Sequence, residues 1–359
     1  MALGGGFLAL MVGAATFLIA PKLAASDGIQ TMQYVTSPVA VEGIYPSMIG
    51  PDNTDVNVKL KSDGPAELLW ITGYRANMIN AEDSRPMSSQ FMCHNTLSIH
   101  DSLQTHAKTL GSGTFRSRRL FTLSQGQERL NFPPGFGIPV ASTERFMLQS
   151  QVLNLQEAGV GAQVRHKVET QFVSDADAQQ PMKALSLVEF GIALEVADKQ
   201  ARHVPDDACA QDAGGQGTFR RADGREMTAH WIVKPGVDTR TTDLGRHFKF
   251  NTTVHYISAH LHGFAESLEL RDVTANKTVF KVLCKPTADG EGLAEVGHYS
   301  SVEGTPVFAQ HSYQLISRYN NTSGKDKTAM AFMFCYIADP YFERPTAEQV
   351  AARSGNKLP

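Results

Sequence analysis

Two histidines one residue apart, His260 and His262, open the stretch HLHGFAESLELRD at residues 260–272. On a β-strand, residues i and i+2 project from one face, so these two imidazoles stand side by side and can hold one metal ion. His255 lies five residues back and falls on the opposite face of a regular strand. A bare His-x-His is also what two hydrogen-bonded histidines on a solvent face look like, so the pair alone does not decide. Other chemistries leave no trace. There is no G-x-S-x-G, H-E-x-x-H, P-loop or dinucleotide fingerprint.

The elements that must position this pair are strands. AELLWITGYRA, RFMLQSQVLNLQ, AQVRHKVETQFV, SLVEFGIALEVA, TVHYISAHLHGF, YQLISRYNN and MAFMFCYIA are short and rich in β-branched or aromatic residues, and several alternate with period two. Turn signals such as ADG, ANK and NTSGKD separate them. Helix is expected only in the N-terminal segment, in NAEDSRPMSSQ and in TAEQVAARSG. The reading is all-β, two jelly-roll-like β-sandwich domains in tandem. A polar stretch rich in Gly, Asp and Ala, residues 198–226, reads as the linker between domains at 27–197 and 227–340, and residues 341–359 as a polar tail.

Composition sets further bounds. With 42% hydrophobic residues the chain is not disordered, and 33 basic against 36 acidic residues give no electrostatic case for nucleic acid. The short basic cluster Arg116, Arg118 and Arg119 reads as a strand edge or loop. Residues 1–25 resemble a secretory signal ending in small residues, or an uncleaved N-terminal anchor, which would be the only membrane attachment. Either places the rest in an extracellular, periplasmic or secretory-lumen compartment. Cys93, Cys209, Cys284 and Cys335 then suggest disulfides, with three connectivities open. Cys284 and Cys335, both on strands of the second domain, are expected to pair.

The stretches TTVHYISAHLHGFAESLELRD and HYSSVEGTPVFAQHSYQLISRYNNTSGKDKTAMAFMFCYIADP together resemble the C-terminal domain of the copper type II, ascorbate-dependent monooxygenases. That is the family of peptidylglycine hydroxylating monooxygenase and dopamine β-monooxygenase. The resemblance implies a copper held by His260, His262 and a methionine that falls on Met330, with Met333 as the fallback. A thioether favours Cu(I), which suits that assignment. The resemblance further implies ascorbate or another reductant and a small-molecule or peptide substrate.

The first half is similar to the family's electron-storing copper domain, with departures. QFMCHNTLSIHD occupies the place of a strand that carries a His-His pair, yet reads Cys93-His94-Asn95, and Gln151 stands at the position of a third histidine. One copper per chain is therefore expected, and His94 reads as a structural residue. The peptide-amidating member's substrate contacts are also replaced, by Ser258, Phe332 and Phe334. Three functions compete: an exported copper monooxygenase, a copper-binding protein without turnover, and a structural or interaction protein that kept the fold.

Overall fold

A computed structural model describes residues 28–47, 49–61, 64–111, 113–114, 117–201, 218–220 and 223–354. Residues 1–25, and with them the signal or anchor, lie outside the described residues, as do Arg116, Cys209 and much of the 198–226 stretch. Within the described residues no helix is long and apolar enough to cross a membrane.

Alternation builds the first sandwich. In Gln163–Ser174, buried Val164, His166, Val168, Thr170 and Phe172 alternate with partly exposed residues, the period-two pattern of a strand with one face on a core. It pairs antiparallel with Leu68–Asn80 and belongs to a sheet facing a second one of Asp52–Val58, Phe146–Val152, Met92–Ile99 and Arg119–Ser124. Between them lies a core that includes Tyr74, Leu97, Phe121, Phe146 and Phe172. The second sandwich sets Ala331–Ala338, Thr252–Leu261 and Tyr299–Val307 against a sheet of Gly236–Gly245, Tyr313–Asn321, Ala265–Asp272, Lys277–Pro286 and Leu293–Val296. Its core includes Trp231, Val254, Leu268, Leu315 and Met333. The fold is thus all-β, with two jelly-roll-like sandwiches.

The join between them differs from the expected linker. Lys183–Gly191 runs parallel to Phe136–Ala141 of the first sandwich and antiparallel to Ala331–Ala338 of the second, so one sheet passes through both halves. Leu185 and Leu187 fill the first core, while Val188, Phe190, Ile192 and Leu194 fill the second. The second core therefore begins near Val188, well before 227. Apart from Ser186 and Glu189, which pairs with Arg119, SLVEFGIAL is apolar on both faces, as suits a strand shared by two cores.

The C-terminal segment is not a loose tail. Ala347–Arg353 is a helix whose start carries a capping box between Thr346 and Gln349. Val350 and Ala351 are buried with Trp70 and Leu110 of the first sandwich, Phe342 packs edge-on to Trp70, and Arg344 pairs with Asp175. Leu110 ends a helix not foreseen from sequence, Leu103–Leu110, although Ser102 caps its start and Gly111, at φ 86°, ends it. The NAEDSRPMSSQ segment instead forms a turn and a short 3-10 helix, Ser89–Phe91, with Ser84 at φ 58°.

The expected Cys284–Cys335 disulfide is not formed. Cys335 is fully buried on Ala331–Ala338, Cys284 lies on Lys277–Pro286 of the opposite sheet, and both are free thiols. Burial pushes the Cys284 thiol up to about 12 and raises Cys335 as well, which makes both poor nucleophiles for exchange.

Candidate metal centre

Thr252–Leu261 lies between the two cores. Ile257, Ala259 and Leu261 pack in the second core, whereas Tyr256 joins the first, so the alternate residues Ser258 and His260 face the first sandwich. A register shift between Val254 and Tyr256 reverses the facing earlier in the strand. His255 sits at that bulge and is fully engaged: Nδ1 bonds to the Ser301 carbonyl at 3.0 Å and Nε2 to Thr253 Oγ1 at 2.7 Å. It is no part of the histidine pair.

His260 pairs with Phe332 and Leu261 with Ala331 on the neighbouring strand, and the next step of this register sets His262 opposite Met330. Tyr319 closes that step. Its hydroxyl accepts from the His262 backbone N–H at 3.3 Å and donates to the Met330 carbonyl at 2.6 Å. The Met330 side chain is fully buried against Cys93, Leu153 and Ala229. Met333 is turned into the second core and stands away from the pair. Continued by one step, this register puts His260, His262 and Met330 at the same end of the two paired strands, while Met333 packs in the second core.

A residue passed over in the sequence joins them. Trp231–Val233 pairs with Lys327–Ala329, Trp231 opposite Ala329, which puts His230 at the level of Met330. The His230 and His262 ring centres are 6.3 Å apart, those of His260 and His262 5.4 Å. Two imidazoles on a common ion have ring centres roughly 5 to 6 Å apart, given a metal–nitrogen distance of about 2.0 Å. Nothing near TAHWIV marks His230 in advance, because its placement comes from strand pairing nearly 100 residues away.

The electrostatics favour neutral imidazoles. Burial holds His260 well below its ordinary value, with the neighbouring His262, His94 and His230 adding to it. His94 is lowered to about 3 by burial, then by Arg119, His166 and His262. His262 Nδ1 lies 3.3 Å from the Thr328 carbonyl, and a carbonyl only accepts, so Nδ1 carries the proton and Nε2 the lone pair. Both ring nitrogens of His260 are buried without a hydrogen-bond partner, and so are both of His94. A buried polar atom left so costs about 1–3 kcal/mol, which sets these two apart from structural histidines such as His255.

Buried neutral imidazoles with free lone pairs beside a thioether are a donor set for a soft ion, Cu(I) above all. Among the described residues no group of three or more His, Cys, Asp or Glu is placed to hold a metal ion as it stands. The expected set is two imidazoles and a thioether. In the first sandwich, His94 pairs across its sheet with Gln151, whose amide donates to the Gly50 carbonyl at 2.9 Å. His106 is engaged by Glu144, and His166 points into the first core. Neither restores a second triad of histidines.

Gly263 follows the pair directly. A Cβ there would stand 2.1 Å from the Glu291 carbonyl, a backbone atom that cannot swing away. Gly263→Ala is expected to cost about 1–3 kcal/mol by overpacking and to displace His262. Urea unfolding and metal affinity measured together check this, and an unchanged variant would refute it.

No family model matches the chain, and no curated protein matches it. Among solved structures it is similar to the STIV MCP, at 9% identity over 88% of this chain and 97% of that one, with a TM-score of 0.34. It is also similar to a protein in the atomic structure of Sulfolobus Turreted Icosahedral Virus, at 9% identity over 91% and 98%, TM-score 0.30. A third is PNGase F, a glycosylasparaginase from Flavobacterium meningosepticum, at 8% identity over 85% and 96%, TM-score 0.32. None of the three is described as a copper monooxygenase, and likeness at this level says nothing about the chemistry of the site.

Proposed function

We propose that the chain is an exported, copper-dependent monooxygenase-like protein that holds one copper at His260, His262 and Met330, in the seam between its two sandwiches. The observation that carries this reading is His260: a buried, neutral imidazole with both nitrogens unpartnered, at the same strand end as a second imidazole and a buried thioether. A copper ion held there supplies one-electron chemistry towards O2, with ascorbate or another reductant as the electron source. The protein's part is to keep the imidazoles neutral, to fix the His262 tautomer through Thr328, and to exclude bulk water with Phe332 and Phe334. A cavity of about 200 Å³ opens at the seam, lined by Phe91, Leu155, Gln125 and Asp289 among others. Leu155 also packs on the cluster that contains Met330, so a small substrate approaching through it comes near the site.

A copper-binding protein without turnover is the second reading, favoured by Gln151 and the lone His94 where a storage copper would need more imidazoles. Copper titration of the full chain, followed by O2 uptake with ascorbate, separates the two. One copper per chain with ascorbate-dependent uptake is the expected result. One copper without uptake selects the second reading, and no bound copper overturns both.

A further inference from the structure

We propose that a cavity on the outer face of the first sandwich binds a neutral carbohydrate, a short oligosaccharide whose hydroxyls are met by side-chain amides. This goes beyond the copper reading and does not rest on it.

The cavity measures about 570 Å³, a size usual for small-molecule sites and larger than the opening at the seam. Its floor is a bulge in the sheet. Leu68–Asn80 and Gln163–Ser174 pair Ile71 with Phe172 and Gly73 with Gln171, so Thr72 has no residue opposite. Ile71 and Tyr74 both reach the first core, which a strand without an extra residue does not allow. Ile71 and Phe172 fill that core, and Thr72 and Gln171 beside them line the cavity on the other side of the sheet. The Pro133-Pro134-Gly135 turn, with Gly135 at φ 82°, and the segment holding Ala178, Gln180 and Met182 raise its walls.

Three amide heads lie against backbone that only glycine leaves open. A Cβ on Gly73 would stand 2.8 Å from the amide of Asn131 and 2.8 Å from that of Gln171, and one on Gly135 would stand 2.9 Å from Gln180 Nε2. A glycine inside a strand marks such a close approach. Asn131 is fixed by its chain neighbours, donating to the Leu130 carbonyl and accepting from Arg129. The amides of Gln171 and Gln180 make no hydrogen bond among the described residues, so each offers a donor and an acceptor to a ligand.

Charge decides the class of that ligand. No lining residue is acidic, basic or histidine, and Lys183, next to Met182, keeps its ammonium over the Phe136 ring at 5.3 Å. A charged ligand would lose hydration there and gain no counter-charge. A sugar hydroxyl donates and accepts as an amide does, and a pyranose also has an apolar C–H face. Exposed Ile29 and Pro134 and half-buried Met182 supply the surface on which that face rests. An extended peptide would add to a free strand edge. Both strands under the cavity are already paired on each side.

The test titrates the full chain by calorimetry with the tetrasaccharides of glucose, xylose, mannose and N-acetylglucosamine. Tetragalacturonate is the charged control and a proline-rich peptide the control for the other class. At least one neutral tetrasaccharide should bind with a dissociation constant of about 1 mM or tighter. Gln171→Leu and Gln180→Leu should each weaken it about 5-fold or more, with the melting temperature unchanged, because neither amide holds the fold together. Absence of binding by all four sugars overturns the proposal, and so does binding that both variants leave intact. Tetragalacturonate bound as tightly as the best neutral sugar, or the peptide bound in place of the sugars, overturns it as well.

A second measurement does not depend on how the variants fold. Hydrogen exchange of the wild type is compared with and without the bound sugar. Slowed exchange in peptides covering residues 131–136 and 171–182 supports the site, and protection confined to other segments overturns it.

Discussion

Replacing His260 by alanine is expected to abolish copper binding, taking the metal content of the purified chain from one ion to none. The reasoning is chemical rather than conformational. His260 makes no hydrogen bond that its loss would break, so the fold loses only packing around a buried ring and is rid of two unpartnered nitrogens. The remaining imidazole and thioether are too few to hold the ion against a chelator. Met330→Leu should act differently. A thioether is a soft ligand, so its loss weakens Cu(I) and leaves Cu(II) almost unchanged. Met333→Leu is the control, because that side chain is buried in the second core and faces away from the histidines. Stoichiometric copper in His260→Ala would sink the assignment, as would a larger Cu(I) defect in Met333→Leu than in Met330→Leu.

The second large effect is loss of stability in mild acid. His94 and His166 are lowered to about 3 and His260 lies well below its ordinary value, in each case first by burial. In the unfolded chain each titrates near 6.5, so as pH falls below that value the unfolded state takes up protons that the folded state refuses. Stability is therefore full above about pH 7 and falls as pH drops from 6.5 towards 3. The slope is about 1.4 kcal/mol per pH unit for each imidazole, or on the order of 4 kcal/mol for His94 and His166 by pH 5, and His260 adds in the same direction. That is comparable with the whole stability of a domain. Urea midpoints measured from pH 7.5 to 5 check it, in a window where carboxylates stay ionised. A flat profile there would mean that these imidazoles are not held neutral by the fold.

The strand pattern was legible because many strands bury one face with period two, as AQVRHKVETQFV does, whereas TVHYISAHLHGF is buried on both faces and alternates in which core its residues meet. The facing of His260 and His262 followed from that period alone. What stayed hidden depends on pairing between distant segments. His230 enters only because Trp231–Val233 lies beside Lys327–Ala329. Lys183–Gly191 carries apolar residues on both faces, Leu185 and Leu187 on one and Val188 and Phe190 on the other, but which half each face serves is set by pairing and not by sequence. That both ring nitrogens of His94 are buried without a hydrogen-bond partner is visible only in three dimensions. The helix Leu103–Leu110 was missed although its Ser and Gly boundary residues are the usual ones, because strong strand signals on both sides outweighed a helix of only eight residues.

The return of the C-terminal segment to Trp70 and Leu110 bears on how the polypeptide can mature as it is made. Domains ordinarily fold one after another as they leave the ribosome. Here the N-terminal sandwich keeps an apolar patch open until Phe342, Val350 and Ala351 have been synthesised, after every strand of the other sandwich. The early half thus waits, sticky, for the late one. A nascent chain stalled before residue 342 should hold a bound chaperone on that patch and release it once the last helix emerges.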